Sequence, residues 1–341
     1  MNFLTIFFLL IISLVFSLIY FFLTKKFKIY DKPTRINVHK KIVPKGIGIV
    51  ISLIFSIYIF YIDQQQTDIL KKFLLFTNLE RIWPLYSIIF ISGIFYFIDD
   101  LKNLNPLIKL IFQFFTSFCL LAVLSFPMFI SFLKIEYLIC IILMSYFFNI
   151  FNFIDGFDGM FSLSIFFILL SINFIIRDDL ELILLYNLNF SLLIFLIPYS
   201  ILNKTNNYKI FLGDSGAIPI GMFLTWELII LLNTKYLLTA LLIFLYPFLD
   251  VTITLLLKVL NKKNIFSRDF DYFFLKKIKI YKKSHQSVFF EFLQFYILNF
   301  TLIGIYFETG FTIFAILSII INFWMIIATY KNLNFLPRIR T

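Results

Sequence analysis

Apolar stretches long enough to cross a membrane recur from one end of this chain to the other, and that recurrence limits its fold more than any other feature. They fall near residues 1–23, 47–62, 84–98, 107–126, 135–151, 159–176, 182–200, 216–232, 236–257, 289–307 and 310–330. A bilayer core takes about 20 helical residues to span, so the pattern predicts an all-α, polytopic membrane helical bundle of about eleven transmembrane helices. Of the 341 residues 61% are apolar and 14% charged, against roughly 45–50% and 25% in soluble domains. That excess cannot fit inside one globular core. A membrane β-barrel needs short alternating segments and disorder needs low hydrophobicity; a mean hydropathy of +0.95 excludes both. The 50 Phe residues fit a lipid-facing surface and carry no chemistry of their own.

The chain reads as a single integral membrane domain, 1–341, with no tandem repeat or heptad seam. Its first run lacks a basic leader and a small-residue cleavage site, so it reads as a retained span. With the N-terminus outside, one alternating set of loops lies near 24–46, 99–106, 152–158, 201–215 and 258–288, together with the C-terminal tail. That set and its flanks hold 24 of the 30 Lys and Arg residues. The positive-inside rule therefore places it in the cytoplasm, which predicts a multi-pass protein of the inner (plasma) membrane with a cytoplasmic C-terminus. The net charge of +11 sits where topology alone would put it, near anionic headgroups, and nucleic acid is not an expected partner. Cys119 and Cys140 lie in apolar runs, and His39 and His285 are far apart. A metal site here would have to use carboxylates.

Carboxylates are the informative residues, because an ionised group at a membrane boundary needs a partner, water or a function. Asp99 and Asp100 end the third span. Asp155 and Asp158 lie in N-x-x-N-x-x-D-G-x-D-G, from Asn149 to Gly159, with Asn149 and Asn152 as its amides. Asp214 lies in F-L-G-D-S-G, 211–216. By the loop count all three clusters open onto the cytoplasmic face. Singly, each is read as readily as a loop start or helix cap; together on one face they suggest an oxygen-rich site. Such sites suit Mg²⁺, which commonly takes one or two carboxylates plus substrate phosphates. Adjacent aspartates on a helix point about 100° apart, so one can approach a metal while the other orients or removes a proton. The Gly213–Gly216 segment stands before a span, where backbone N–H groups can face an anion.

In order and spacing these residues resemble the polyprenyl-phosphate N-acetylhexosamine-1-phosphate transferases, the membrane superfamily that begins lipid-linked glycan assembly for cell walls, O-antigens, teichoic acids and N-glycans. The N-terminal segment Asp31 to His39 is similar to the family's D-x-P-x-x-R-x-x-H, and Pro44 to Gly48 to its P-x-x-G-G. Asp99-Asp100 with Lys109, the run Asn149 to Gly159, the 211–216 segment and Tyr246 to Asp250, similar to Y-P-x-x-D, follow in family order. The usual H-x-H-H run of the last large loop is missing. Residues 264–275 carry Arg268 and aromatic side chains there, and His285, further on, is not read as its substitute.

The resemblance implies transfer of a sugar 1-phosphate from a UDP-N-acetylhexosamine-type donor to an undecaprenyl-type polyprenyl phosphate, with release of UMP. It implies Mg²⁺ at Asp214 and Asp99, catalytic Asp99 and Asp100 with their individual roles open, and substrate contacts at Asn149, Asn152, Asp155, Asp158, Lys109, Arg268 and His39. Lys109 reads equally well as an interfacial snorkelling lysine. A homodimer is compatible with the resemblance. Alternatives are the phospho-MurNAc-pentapeptide branch, disfavoured by the Asp31 to His39 motif, and an inactive relative or transporter serving envelope assembly. Transporters bury ionisable groups near the midplane, whereas these carboxylates sit at span ends. The charge asymmetry predicts that, without Cys119 and Cys140, a Gln65→Cys variant reacts with an impermeant thiol reagent on intact cells and a Lys277→Cys variant does not. The reverse labelling overturns the orientation.

Overall fold

The computed structural model describes residues 3–33, 42–77, 82–124, 135–156, 158–204, 209–262, 276–278 and 283–331. Their helices are α1 (Phe3–Phe27), α2 (Gly48–Gln65), α3 (Asp68–Thr77), α4 (Trp83–Lys102), α5 (Pro106–Leu124), α6 (Ile135–Ile154), α7 (Met160–Ile176), α8 (Ile183–Lys204), α9 (Asp214–Leu232), α10 (Leu237–Leu260), α11 (His285–Thr309) and α12 (Thr312–Lys331). Eight of these are long and apolar enough to span a membrane, and shorter apolar helices cover Pro106–Ala122, Met160–Ile176 and Thr312–Ala328. Each predicted span therefore coincides with a helix. The described residues bear out an all-α polytopic membrane protein, as lipid requires of a chain that must satisfy its backbone groups within each segment.

One helix sits at the centre. Sixteen of the nineteen residues of α9 are buried, as expected of a helix apolar on every side, and it packs against α2, α4, α6 and α10. By contrast α1 keeps Phe7, Phe8, Phe16 and Phe22 exposed, a surface suited to acyl chains.

Dispersion and backbone approach, rather than exclusion of water, drive helix packing in lipid, and α2, α4 and α9 meet through small residues accordingly. Ser52 donates its hydroxyl to the carbonyl of Ser215 at 2.8 Å. A Cβ built on Gly48 would lie 2.2 Å from the backbone nitrogen of Gly216, and one on Gly93 2.9 Å from the Cβ of Ser52.

At the end of the bundle where α4 finishes and α9 begins, a small sheet joins two loops. Strands β1 (Tyr30–Asp31) and β2 (Val43–Pro44) pair antiparallel, with Tyr30 opposite Pro44, and Lys45 forms a parallel bridge with Phe211. Backbone N–H groups of Gly46 and Gly48 donate to the carbonyls of Phe211 and Leu212 at 3.0 and 2.9 Å. The segment preceding α2 thus holds the segment that delivers Asp214.

Among the described residues the structure places a helix where the sequence reading had a loop. Residues 63–83 read as a loop, yet α3 forms there and buries Leu70 and Phe73, with the Phe73 ring 5.9 Å from that of Trp226. Ten residues with Lys71 and Lys72 are too short and too charged to register as a span; amphipathic pairing with α8 stabilises them instead. From the α2–α9 contact, Gly48→Ala should force the two backbones apart and cost about 1–3 kcal/mol, the usual range for overpacking. A lowered unfolding midpoint in detergent checks this; an unchanged midpoint would show that the contact yields freely.

Candidate active site at the α4–α9 end of the bundle

Asp99 and Asp100 occupy the last turn of α4, and both are buried. Asp99 divides its carboxylate between the backbone N–H of Leu104, at 2.7 Å, and the ammonium of Lys109, at 2.6 Å. The α4 to α5 turn, with Asn103 at φ 51°, is therefore closed by the same group that receives Lys109. That ammonium also stands 3.6 Å from Asp214. One cation is shared by two carboxylates, which excludes the reading of Lys109 as a lysine merely snorkelling to the interface.

Asp100 faces the other way. Its two oxygens accept the backbone N–H groups of Asp214 and Ser215 at 3.3 and 3.2 Å. The anion that faces the N-terminus of α9 is thus Asp100 itself, a side chain of the protein: unsatisfied donors at a buried helix start recruit the nearest carboxylate. Gly213 permits the approach. Its φ is +79°, and a Cβ there would stand 2.4 Å from an oxygen of Asp100.

The turn between α6 and α7 presents the second cluster. Asp155 accepts from the hydroxyl of Tyr199 at 3.1 Å. Asp158 accepts from Lys209 at 2.5 Å and lies 3.4 Å from Nδ1 of His285. Asn203 receives the N–H of Gly159 at 2.7 Å and donates to the carbonyl of Ile210 at 3.0 Å, joining this turn to the approach of α9. Above it, the Lys204 ammonium lies 3.7 Å over the Phe289 ring. The start of α11 thereby enters the site, although the sequence reading set His285 aside. Burial, opposed by the Tyr199 hydrogen bond and reinforced by the charges of Asp214, Asp100 and Asp158, raises the pKa of Asp155 to about 8.

The two motif amides part company. Asn149 pairs with Gln113 of α5 through both amide groups, at 2.8 and 3.0 Å, whereas half-buried Asn152 makes no side-chain hydrogen bond among the described residues. His39 and Arg268 lie outside the described residues. Sequence reasoning missed Gln113, Tyr199, Asn203 and Lys209. Gln113 had a signal, a polar amide inside a span and one turn from Lys109; the others had none, because only folding brings α8 and the segment before α9 to the turn between α6 and α7.

Chemically the site interleaves signs: Asp99, Lys109 and Asp214 in one cluster, Asp158, Lys209 and His285 in the other. Among the described residues no three Asp, Glu, His or Cys side chains gather closely enough to cage a metal unaided. The Asp99–Asp214 pair nevertheless offers what Mg²⁺ takes when phosphates and water complete its shell, and the shared ammonium shows that these carboxylates together call for positive charge.

Fold and site define a polytopic helical membrane protein with a carboxylate and lysine centre at one end of its bundle. Residues 82–232 match the family model described as glycosyl transferase family 4, the family of polyprenyl-phosphate N-acetylhexosamine-1-phosphate transferases. The matched segment spans α4 to α9 and holds Asp99, Asp100, Lys109, Asn149, Asn152, Asp155, Asp158 and Asp214. The family resemblance read from the motifs therefore stands on this segment, and the family's general activity is transfer of sugar phosphates to polyprenyl phosphate. No curated protein matches the chain closely enough to count as a relative.

The raised pKa of Asp155 has a signed consequence. With divalent ions chelated, the folded protein keeps this proton up to about pH 8, while an unfolded aspartate releases it near pH ~4. Asp155 thus contributes stability that is fully present below about pH 4 and lost as pH rises towards 8. Unfolding midpoints across that range should fall less steeply for Asp155→Asn than for the wild type; equal slopes would refute the assignment.

Proposed function

We propose that this protein moves a sugar 1-phosphate from a UDP-N-acetylhexosamine-type donor to an undecaprenyl-type polyprenyl phosphate, at the cytoplasmic face of the inner membrane. The observation that carries this reading is the shared placement of Lys109 between Asp99 and Asp214 where spans end, a centre built to hold phosphates and cations together at lipid-headgroup depth. An oxygen of the lipid phosphate attacks the β-phosphorus of the donor. The bond from that phosphorus to the bridging oxygen breaks, and UMP leaves with the bridging oxygen.

Phosphoryl transfer asks mainly for positioning and charge stabilisation. In this reading Asp99 stands with Asp214 as a carboxylate of the cation site, Lys109 offsets the charge on the reacting phosphoryl group, and Asp100 acts by holding the first turn of α9 and with it Asp214. Asn152, Asp155 and Asp158 form the donor pocket with Lys209 and His285, and His39 and Arg268 supply further substrate contacts. Bound at Asp99 and Asp214, Mg²⁺ would supply neutralisation of the donor diphosphate. The absence of the H-x-H-H run favours one second reading, an inactive relative that serves as an assembly partner.

Purified protein with a panel of UDP-sugars, Mg²⁺ and undecaprenyl phosphate should release UMP with at least one donor. Asp214→Asn, which keeps shape and removes charge, should slow release by about a hundredfold or more, the usual loss when one electrostatic stabiliser is removed. Near-normal turnover in that variant, or full activity in excess chelator, overturns the metal assignment. Folded protein that releases no UMP and binds no UDP-sugar by calorimetry turns the conclusion to the assembly partner.

A further inference from the structure

We infer that Gln113 is a positioning residue, which through its amide pair with Asn149 sets the rotation of α5 and so holds the Lys109 ammonium between Asp99 and Asp214. As a contribution to turnover this rests on the proposed transfer reaction; as a statement about Lys109 it stands on geometry alone.

Helix α5 lies at the periphery of the bundle. Leu107, Ile108, Ile111 and Phe115 are exposed on its outer side. Such residues meet lipid and protein on nearly equal terms, so they fix a helix's rotation about its own axis only weakly. Polar pairs have no such latitude, because an amide turned into hydrocarbon loses its hydrogen bonds.

Gln113, only 4% exposed, lies one turn from Lys109 on the same helix face. Its Nε2 donates to Oδ1 of Asn149 at 3.0 Å, and its Oε1 accepts from Nδ2 of Asn149 at 2.8 Å. Ser145, one turn earlier on α6, also donates to Oε1, at 3.3 Å. Both bonds of the amide pair lie in one ring, which fixes orientation as well as distance. With α5 so turned, Lys109 faces inward, towards Asp99 at 2.6 Å and Asp214 at 3.6 Å. Asn149 belongs to the Asn149 to Gly159 motif, yet its amide is committed to α5. Its influence on the reaction therefore passes through Gln113 and Lys109.

The test exploits the lengths of the two side chains. Gln113→Asn leaves the pair one methylene short and Asn149→Gln one too long, while the double variant restores the combined reach. Reductive ¹³C-methylation makes each lysine visible by NMR, and the Lys109 resonance is the one lost in Lys109→Arg. Each single change should move that resonance towards the position of exposed lysines, and the double variant should return it. In the transfer assay each single change should lower kcat about tenfold or more with KM for the UDP-sugar unchanged, and the double variant should recover to within about threefold of wild type. Thermal unfolding checks that each protein is folded, and Gln113→Met, which keeps length and removes both amide groups, replaces any single variant that is not. An unmoved Lys109 resonance in the single variants overturns the inference. So does a rise in KM for the UDP-sugar that the double variant fails to reverse, since Asn149 would then touch substrate itself. If the wild type transfers nothing, the functional reading falls, and the Lys109 resonance still decides the inference.

Discussion

A helix that begins inside a bundle must find acceptors for its first backbone N–H groups, and here that demand is met by a side chain from another span. Asp100, at the end of α4, takes the N–H groups of Asp214 and Ser215. Helix α9 is the most enclosed of the candidate spans and contacts α2, α4, α6 and α10, so this link ties the start of the central helix to the end of α4. The contact also explains the local sequence: Gly213 is the residue a carboxylate can approach this closely, and Gly48 and Gly216 let α2 meet the same turn.

Everything at the site follows from the cost of charge in a poorly solvated place. Buried Asp99 has a backbone donor and an ammonium, and Asp158 has an ammonium and an imidazole nearby. Buried ion pairs repay their desolvation only when geometry is good and remaining lone pairs are satisfied. Such arrangements are weak devices for stability. Away from the site the same requirement yields plain inter-helix polar links, such as Asn189 of α8 donating to Asn173 of α7 and Glu227 of α9 at 3.0 and 2.6 Å, and Ser318 of α12 donating to Asn299 of α11 at 2.7 Å.

Hydropathy alone made the spans legible, since lipid permits few ways to satisfy a backbone, and the motif order made the family legible. The sequence by itself determined that Asp99, Asp100, Asp155, Asp158 and Asp214 stand at span ends, because an apolar run ending in charge can end only at a boundary. It did not determine how the carboxylates divide their work. Only the tertiary structure turned Asp100 to the start of α9 and Asp99 to Lys109, because adjacent residues on a helix point in different directions and the partner each meets depends on which helix lies there. For the same reason Asn149 and Asn152, equivalent as letters in one motif, diverge: Asn149 pairs with Gln113 and Asn152 does not. Lys209 from the segment before α9 and His285 from the start of α11 reach Asp158 across more than fifty residues of sequence. No local pattern encodes such a meeting, since it depends on how the spans pack and not on what each of them contains.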